Sequence, residues 1–356
     1  MKLSTDTLYI TRFFAAVGVV FYHYKPVDLS KDVVNEIITN LDEGVNYFYF
    51  LSGFVMIMAY QKPLFTKGSI DKISYWIKRI ARIYPLYLVA LLLCLVFHFG
   101  IRSQFTSLVL RMPFELLMVQ TWFYNGSINY PAWSISCEAF FYLLFPFIVP
   151  HLISFSTRKL IATAVVCLGI NLLVQLGGNE IEFVQSHKFI HSLMATQPVF
   201  RTIIFVCGML AALLLIKGSV PFIGRFTVVI GLLGLLFIIL LTLYELSPGS
   251  LWLRAGILVP LYSVFVVLLC SLQGDVSRFL SNPFFILLGD SSYGIYILQF
   301  PVHLFFTYFI TETGTLPGLC SYLAVLILIS ILSHQFFEKP VREYANTRFL
   351  KSRVSL

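Results

Sequence analysis

The sequence is poor in charge. Asp, Glu, Lys and Arg make up 12% of its 356 residues, whereas 58% are hydrophobic; soluble domains carry about 25% charged residues. It also has no long hydrophilic segment, and its apolar stretches run to about 20 residues, the length that crosses a bilayer core of about 30 Å. These features exclude a soluble globular protein and predict an all-α fold, a polytopic membrane helix bundle.

Paired cysteines are absent as well. The six cysteines lie singly in apolar stretches, so neither a disulfide framework nor a zinc site is predicted. His187 and His191 are four residues apart, but two imidazoles without a third ligand do not predict a metal site. No cleavable signal peptide is expected, because the first apolar stretch contains Arg12 and no small-residue cleavage site follows it.

The net charge of +8 is explained by membrane topology and does not require a nucleic-acid partner, because the basic residues flank the apolar stretches. The densest basic group, residues 62–82, follows the second stretch, and the positive-inside rule then places both termini in the cytoplasm. With no internal repeat or linker, residues 1–356 are expected to form one domain. We predict about ten transmembrane helices, near residues 7–25, 43–61, 83–101, 131–153, 160–177, 199–216, 226–246, 252–270, 284–310 and 318–337.

The first predicted span, TRFFAAVGVVFYHY, carries Arg12 and His23. Eleven positions are about three helical turns, so the two side chains share a face, roughly 16 Å apart along the axis. Exposing them to lipid would be costly, which predicts a hydrated cavity lined by protein. The alternative is that each side chain snorkels to the nearer headgroups.

The stretch YWIKRIARIYPLYL places Arg79 and Arg82 three residues apart, on one helical face, with Lys72 and Lys78 nearby. Planar guanidinium groups bind phosphate in a bidentate manner, and two on one face suit a polyphosphate ligand. A plain topology anchor is the alternative interpretation.

The stretch YPAWSISCEAFFYLLFP repeats Ser134, Glu138 and Tyr142 at a four-residue spacing, on one helical face, after Trp133 at the predicted outer interface. A carboxylate inside a span needs Arg, His or water as a partner. Glu138 therefore belongs either to a site or to a structural salt bridge.

Two further spans carry polar residues. Ser52 and Gly53 interrupt an aromatic span, for which close helix packing is the default explanation. In LGDSSYGIYILQFPVHLF, a polar stripe repeats at three- and four-residue steps and would otherwise meet lipid. Its members are Tyr293, Tyr296, Gln299 and His303.

Six motifs in order resemble the acyltransferase family 3 membrane proteins over essentially the whole chain. Arg12 and His23 reproduce the signature of the first span, and the other five motifs are GVNYFYFLSGF, KRIARIYPLY, WSISCEAFFY, SSYGIYILQFPV and FEKP. The chain departs from the pattern at Gln299, where members often carry a histidine. It also ends after the bundle, so no appended soluble esterase-like domain is expected.

The resemblance implies an O-acetyltransferase of the bacterial inner membrane, which takes acetyl-CoA or another acyl-CoA from the cytoplasm. The acceptor would be a hydroxyl of an extracytoplasmic glycan or lipid-linked sugar. His23 is then the expected general base, with Glu138 orienting it or holding the acceptor, and Arg12 binding the donor or stabilising negative charge. Arg79, Arg82, Lys78 and Lys72 would hold the CoA phosphates. The remaining expected cavity residues are Ser52, Trp133, Ser134, Tyr142, Tyr293, Tyr296 and Gln299.

Alternatives stay open at this point. Intramembrane Arg, His and Glu also suit a proton- or anion-coupled transporter, although no two-fold repeat supports one. The acceptor can also be a lipid or a small natural product. Direct transfer and a covalent acyl-His23 relay are equally compatible with the sequence, and a homo-oligomer is left open. No metal is expected.

Overall fold

The computed structural model describes residues 4–26, 33–100, 106–124, 126–180, 196–218, 225–246 and 251–354, and over these ranges the chain forms helices and no strand. His187 and His191 lie outside the described residues. Two 3₁₀ turns, Leu41–Glu43 and Tyr130–Ala132, and one π-helical turn, His334–Glu338, join the α-helices. The α-helices are α1 (Leu8–Tyr24), α2 (Val33–Ile38), α3 (Gly44–Lys67), α4 (Lys72–Gly100), α5 (Thr106–Val109), α6 (Met112–Leu116), α7 (Gln120–Phe123), α8 (Trp133–Ile153), α9 (Thr157–Glu180), α10 (Pro198–Ile216), α11 (Arg225–Glu245), α12 (Leu251–Arg254), α13 (Val259–Ser271), α14 (Asp275–Leu280), α15 (Pro283–Asp290), α16 (Ser292–Phe309), α17 (Leu316–Ser333) and α18 (Lys339–Val354).

The all-α fold is confirmed, and the chain is a multi-pass membrane protein. Helix occupies each of the ten predicted ranges, while the count of ten spans and the cytoplasmic termini stay predictions. Six helices within the described ranges are long and apolar enough to cross a bilayer. They are Lys72–His98, Tyr130–Ile153, Thr157–Gly177, Pro198–Ile216, Val228–Glu245 and Leu316–Phe349.

The third predicted span begins earlier than expected, at Lys72 instead of residue 83. The basic segment before residue 83 is therefore helical, and Arg79 and Arg82 lie two to three turns inside α4. Hydropathy alone ends a span at the first charge; here the charges point into a cavity and the helix continues.

Helices α3 and α10 cross at two glycines. A Cβ atom on Gly53 would lie 2.0 Å from the carbonyl oxygen of Phe205, and one on Gly208 would lie 1.9 Å from that of Phe50. The two backbones therefore touch, as small residues allow in membrane helices. This is the close packing that the Ser52–Gly53 pair predicts.

Helix α1 is enclosed by α3, α15 and α16. At Gly289 of α15, an added Cβ would lie 2.3 Å from the carbonyl oxygen of Tyr9. Three residues along α1 are fully buried: Ala16, Val19 and Val20. Arg12 and His23 therefore face protein on α1 and are not left in lipid.

The helices α5, α6 and α7 are four or five residues long, too short to span a bilayer, and a buried carboxyl group lies among them. Glu115 is 0% exposed and accepts hydrogen bonds from the Ser127 hydroxyl (2.6 Å), the Ile128 amide (2.7 Å) and the Tyr87 hydroxyl (3.1 Å). These contacts hold the connection that leads into the 3₁₀ turn and α8.

Candidate active site in two chambers

A first cavity, which we name the arginine chamber, contains three guanidinium groups. It has a volume of about 80 Å³ and lies between α1, α3, α4, α8 and α16. Nine of the sequence-predicted site residues face it together. They are Arg12, Ser52, Arg79, Arg82, Ser134, Glu138, Tyr142, Tyr293 and Tyr296.

Glu138 is the carboxylate of this chamber. It accepts a hydrogen bond of 3.1 Å from the hydroxyl of Tyr142, one helical turn along α8, and Arg82 is its strongest favourable charge neighbour. Within the described part of the chain, no ion pair closer than 4.0 Å joins it to an arginine. Three guanidinium groups therefore line the chamber beside one carboxyl group, while Asp290 and Glu338 add acidic charge near Arg82 from outside it. The lining itself suits an anionic ligand.

Arg79 retains an unused hydrogen-bond donor. Its Nε is buried and makes no hydrogen bond to any described residue, while its guanidinium lies 5.7 Å from the ring centre of Tyr75 and 5.9 Å from that of Tyr142. Such cation–π contacts fix a guanidinium without using its N–H groups. Arg79 is therefore held in place and can still bind an anionic ligand.

Lys72 and Lys78 are exposed and line neither cavity. The ammonium group of Lys72 lies 4.3 Å from the ring centre of Phe147. Of the four predicted donor-binding residues, the structure brings the two arginines together with Arg12 and leaves the two lysines on the surface.

A second cavity, the histidine chamber, has a volume of about 190 Å³. His23 faces it, together with Trp133 and Tyr130 at the start of α8. The chamber also contains a polar group from three other elements, the turn before α3, α3 itself and α10. This group is Asp42, Glu43, Asn46 and Arg201.

The hydrogen bonds of His23 determine which ring nitrogen can accept a proton. The Gln299 side-chain amide donates to the carbonyl oxygen of Tyr296 (2.9 Å), which turns its Oε1 toward His23 Nδ1 at 2.7 Å. Nδ1 therefore carries the proton and donates it to Gln299, and Nε2 keeps its lone pair. Nε2 makes no hydrogen bond to any described residue, so it is available to a reactant in the histidine chamber.

Arg12 and His23 face different chambers, although they share a face of α1. Val45 and Tyr296 line both cavities and separate them. The hydroxyl of Tyr296 fixes this layer, since it lies 2.7 Å from Ser134 Oγ and 2.9 Å from the carbonyl oxygen of Pro131. The sequence predicts one shared cavity; the structure has two neighbouring cavities, and Val45 and Tyr296 belong to the wall of each.

The partner of His23 is consequently Gln299 and not Glu138, which lies in the other chamber. His303, on the same polar stripe, lines neither chamber. Its ring stacks on Tyr24 at 4.1 Å between centres, and its Nε2 lies 2.9 Å from Thr313 Oγ1.

Sequence reasoning missed the polar group of the histidine chamber. Arg201 follows three apolar residues in PVFRTIIF, and nothing in its local sequence marks it as a site residue, yet it is 6% exposed. Glu43 stands at the edge of a predicted span and is 4% exposed. The sequence signal that could have identified this group is a cation, Arg201, and a carboxyl group, Glu43, at the same end of two apolar helices. In the described residues no cluster of three metal-binding side chains occurs.

The chain is similar in sequence to known acyltransferases over most of its length. The acyltransferase domain family matches residues 7–334. The chain is 23% identical to the O-acetyltransferase OatA of Staphylococcus aureus strain NCTC 8325, over 93% of this chain and 56% of that protein. A putative O-acetyltransferase of S. aureus strain COL is similar at the same identity and coverage. The chain thus spans little more than half of the length of these relatives. No solved structure matches it.

Proposed function

The chain belongs to the acyltransferase family that its six motifs resemble, and from this premise we propose that it is a membrane O-acetyltransferase. It moves an acetyl group from cytoplasmic acetyl-CoA to a hydroxyl group of an extracytoplasmic glycan, across the bacterial inner membrane. The observation that carries the proposal is the free Nε2 of His23, facing a chamber that is stacked on a second, cationic chamber.

The arginine chamber is the donor site in this proposal. CoA is a polyanion, and Arg12, Arg79 and Arg82 supply planar donors that suit phosphate and carbonyl oxygens. A cavity of about 80 Å³ has room for only several water molecules at 10–15 Å³ each. It therefore suits the narrow thioester end of the donor, with the nucleotide remaining at the helix ends where Lys72 and Lys78 lie exposed.

His23 is the general base. Its Nε2 takes the proton of the acceptor hydroxyl while the oxygen attacks the thioester carbonyl carbon. The new C–O bond forms, the C–S bond breaks, and the departing CoA thiolate takes the proton back from the imidazolium. The products are the acetyl ester and CoA, and His23 returns to its starting state.

Transfer also requires the donor and the base to meet. The layer of Val45 and Tyr296 stands between the chambers, so it must open for the thioester to reach the acceptor. Arg12 acts on the donor side of this layer. Its role is to bind CoA and to balance the charge that develops on the thioester oxygen.

A matched pair of variants tests the base. His23→Gln and His303→Gln each replace a partly buried imidazole, and the first alone faces a chamber. We expect His23→Gln to lower ester formation by 10²-fold or more, the usual contribution of a general base, and His303→Gln to retain it. The readout is acetyl content of surface glycan by mass spectrometry, at equal amounts of inserted protein. Normal acetylation in His23→Gln would refute the proposed base.

A second test addresses the donor. Arg79→Ala combined with Arg82→Ala should weaken binding of CoA and reduce the dependence of its dissociation constant on salt, because fewer charge contacts are then screened. Lys217→Ala is the matched control, since this lysine donates to the carbonyl oxygen of Ile153 and lines neither chamber. Equal dissociation constants in both variants and the unchanged protein would assign the two arginines to topology alone.

Measurement of solute uptake and identification of the acetylated product separate the alternatives. Solute uptake that needs no CoA would indicate a transporter, whereas an acetyl ester on a lipid or a small molecule would keep the chemistry and change the acceptor.

A further inference from the structure

We propose that Glu43, Asn46 and Arg201 are the acceptor-positioning residues of the histidine chamber, and that the acceptor they take is a neutral, hydroxyl-rich sugar. This inference rests on the proposed function and deepens it, because it assigns the acceptor chemistry to three residues that the sequence analysis did not predict as site residues.

The three side chains form one continuous polar chain. Arg201 Nη1 donates to Asn46 Oδ1 at 2.8 Å, and Asn46 Nδ2 lies 2.7 Å from both carboxyl oxygens of Glu43. All three are 6% exposed or less. The cost of burying a guanidinium and a carboxyl group among apolar helices is offset by these hydrogen bonds.

This polar chain and the free nitrogen of His23 face the same cavity. The cavity lies at the end of the bundle where α1 finishes and where α3, α8 and α10 begin. That end is opposite to the lysine-rich connection between α3 and α4, and it is extracytoplasmic if that connection is cytoplasmic. A reactant that enters from outside therefore meets Glu43, Asn46 and Arg201 next to the proposed base.

The lining favours a neutral sugar over an anionic acceptor. Two carboxyl groups, of Asp42 and Glu43, border the cavity, and the guanidinium of Arg201 already donates to Asn46. A carboxylate or phosphate on the acceptor would face those carboxyl oxygens. Hydroxyl groups both donate to carboxyl oxygens and accept from amide and guanidinium N–H groups, so they fit both kinds of partner.

The remaining wall suits the body of a sugar ring. Trp133 and Tyr130 line the cavity and offer aromatic surface to the apolar C–H faces of the ring, the usual composition of small-molecule sites with few polar groups. A cavity of about 190 Å³ has room for on the order of ten water molecules, which a single ring with its hydroxyl groups can displace.

The experiment must distinguish acceptor binding from a structural role, since the same polar chain also links α10, α3 and the turn before it. We would use the full-length protein in lipid nanodiscs and two probes, methyl β-glucopyranoside and its uronate, methyl β-glucopyranosiduronate. Binding of each is measured by saturation-transfer NMR, and acetylation of the neutral probe by mass spectrometry. The variants are Glu43→Gln, which replaces one carboxyl oxygen by an NH₂ donor, and Arg201→Lys, which replaces the planar guanidinium fork by a single ammonium group.

We expect the unchanged protein to bind the neutral probe more tightly than the uronate. In both variants the KM for the neutral probe should rise about tenfold or more, as expected when a hydrogen bond involving a charged group is lost, while the dissociation constant of CoA stays the same. Glu115→Gln is the matched control: it alters a buried carboxyl group that faces neither chamber, and it should leave the KM unchanged.

Three results would overturn the inference. They are absence of neutral-probe binding to the unchanged protein, tighter binding of the uronate, and an unaltered KM in both variants. If the KM rises only in proportion to a loss of thermal stability, the residues are structural and the inference is equally wrong. Failure of the unchanged protein to bind CoA would contradict the proposed function instead. Binding of the two sugar probes is measured without CoA, so it still tests the acceptor site in that case.

Discussion

At the scale of single residues, one amide group decides the chemistry available to His23. Gln299 is fully buried, and its own hydrogen bond to Tyr296 presents only an oxygen to the imidazole. The ring is thereby fixed with its basic nitrogen toward the chamber. A glutamine thus contacts the imidazole at the position where members of the resembled family often carry a histidine.

Gln299→Leu should therefore lower kcat by about 10- to 100-fold, because the imidazole loses the partner that fixes its tautomer and orientation. This loss is part of the 10²–10⁴-fold that a general base contributes to the rate. Binding of CoA should not change. The control is Tyr322→Phe, which removes a 2.6 Å hydrogen bond to the main-chain oxygen of the same glutamine and leaves the imidazole contact in place. Equal kcat values for the two variants would show that the amide does not orient His23.

Glu115 gives a second residue-scale prediction, on pH. Burial raises the pKa of its carboxyl group above the ordinary 4.5, against the opposing hydrogen bonds from Ser127, Ile128 and Tyr87. The folded state then retains the proton longer than the unfolded chain. The free energy of unfolding therefore falls as the pH rises from about 4.5 through the raised pKa, and is constant above it.

Thermal unfolding in detergent across this pH range measures the effect. Glu115→Gln should remove this part of the pH dependence, because the amide cannot ionise. Glu115→Ala should cost about 1–3 kcal/mol, because it leaves the buried amide of Ile128 without an acceptor. A Glu115→Gln protein with the same pH slope as the unchanged protein would refute the assignment.

Local spacing predicted those site residues that are neighbours on one helix. Glu138 and Tyr142 are hydrogen-bonded one turn apart, as their four-residue spacing indicates. Spacing cannot reveal contacts between helices, and so it missed the bond between Arg201 and Asn46, 155 residues apart. It also could not show that Arg12 and His23, on one face, are separated by a tyrosine from another helix.

At the scale of elements, the crossing of α3 and α10 sets the positions of both chambers. Ser52, next to the crossing glycine of α3, faces the arginine chamber, while Asn46 on α3 and Arg201 on α10 face the histidine chamber. Any change that separates these two helices therefore displaces residues of both chambers at once.

Gly208→Ala should lower stability and activity together, because its Cβ would lie 1.9 Å from a backbone oxygen, where no flexible side chain can give way. Gly169→Ala is the control: nothing lies within 4 Å of its added Cβ, and alanine favours a helix by about 1 kcal/mol over glycine. Thermal stability and glycan acetylation of both variants are compared. A Gly208→Ala protein as stable as Gly169→Ala would mean that the crossing is not close.

Element type was readable from the sequence, whereas element ends were not. Apolar length predicted helix in every one of the ten ranges, since only a helix satisfies its backbone in lipid. The start of α4 was placed eleven residues late, at residue 83 instead of Lys72, because hydropathy counts Arg79 and Arg82 against a span. Their burial beside tyrosines could be seen only once the neighbouring helices were in place.

At the scale of the whole molecule, the distribution of lysine and arginine predicts which side faces the cytoplasm. Ser69 lies in the connection between α3 and α4, and Glu312 in the connection between α16 and α17; both are exposed. The positive-inside rule puts them on opposite sides of the membrane.

In a chain whose native cysteines are replaced, Glu312→Cys should react with a membrane-impermeant maleimide in intact cells. Ser69→Cys should react only after the cells are permeabilised. Mass shift on a gel is the readout, and labelling of both after permeabilisation confirms that each thiol is accessible. Labelling of Ser69→Cys in intact cells would invert the topology, and with it the sides assigned to donor and acceptor.

The layer of Val45 and Tyr296 has a consequence for the cell as a whole. A protein wetted from both faces of an energised membrane is a leak for protons unless its two water-filled halves stay apart. In the proposed acetyltransferase these two side chains lie between the halves, and we infer that they let the protein wait for its reactants without discharging the proton-motive force.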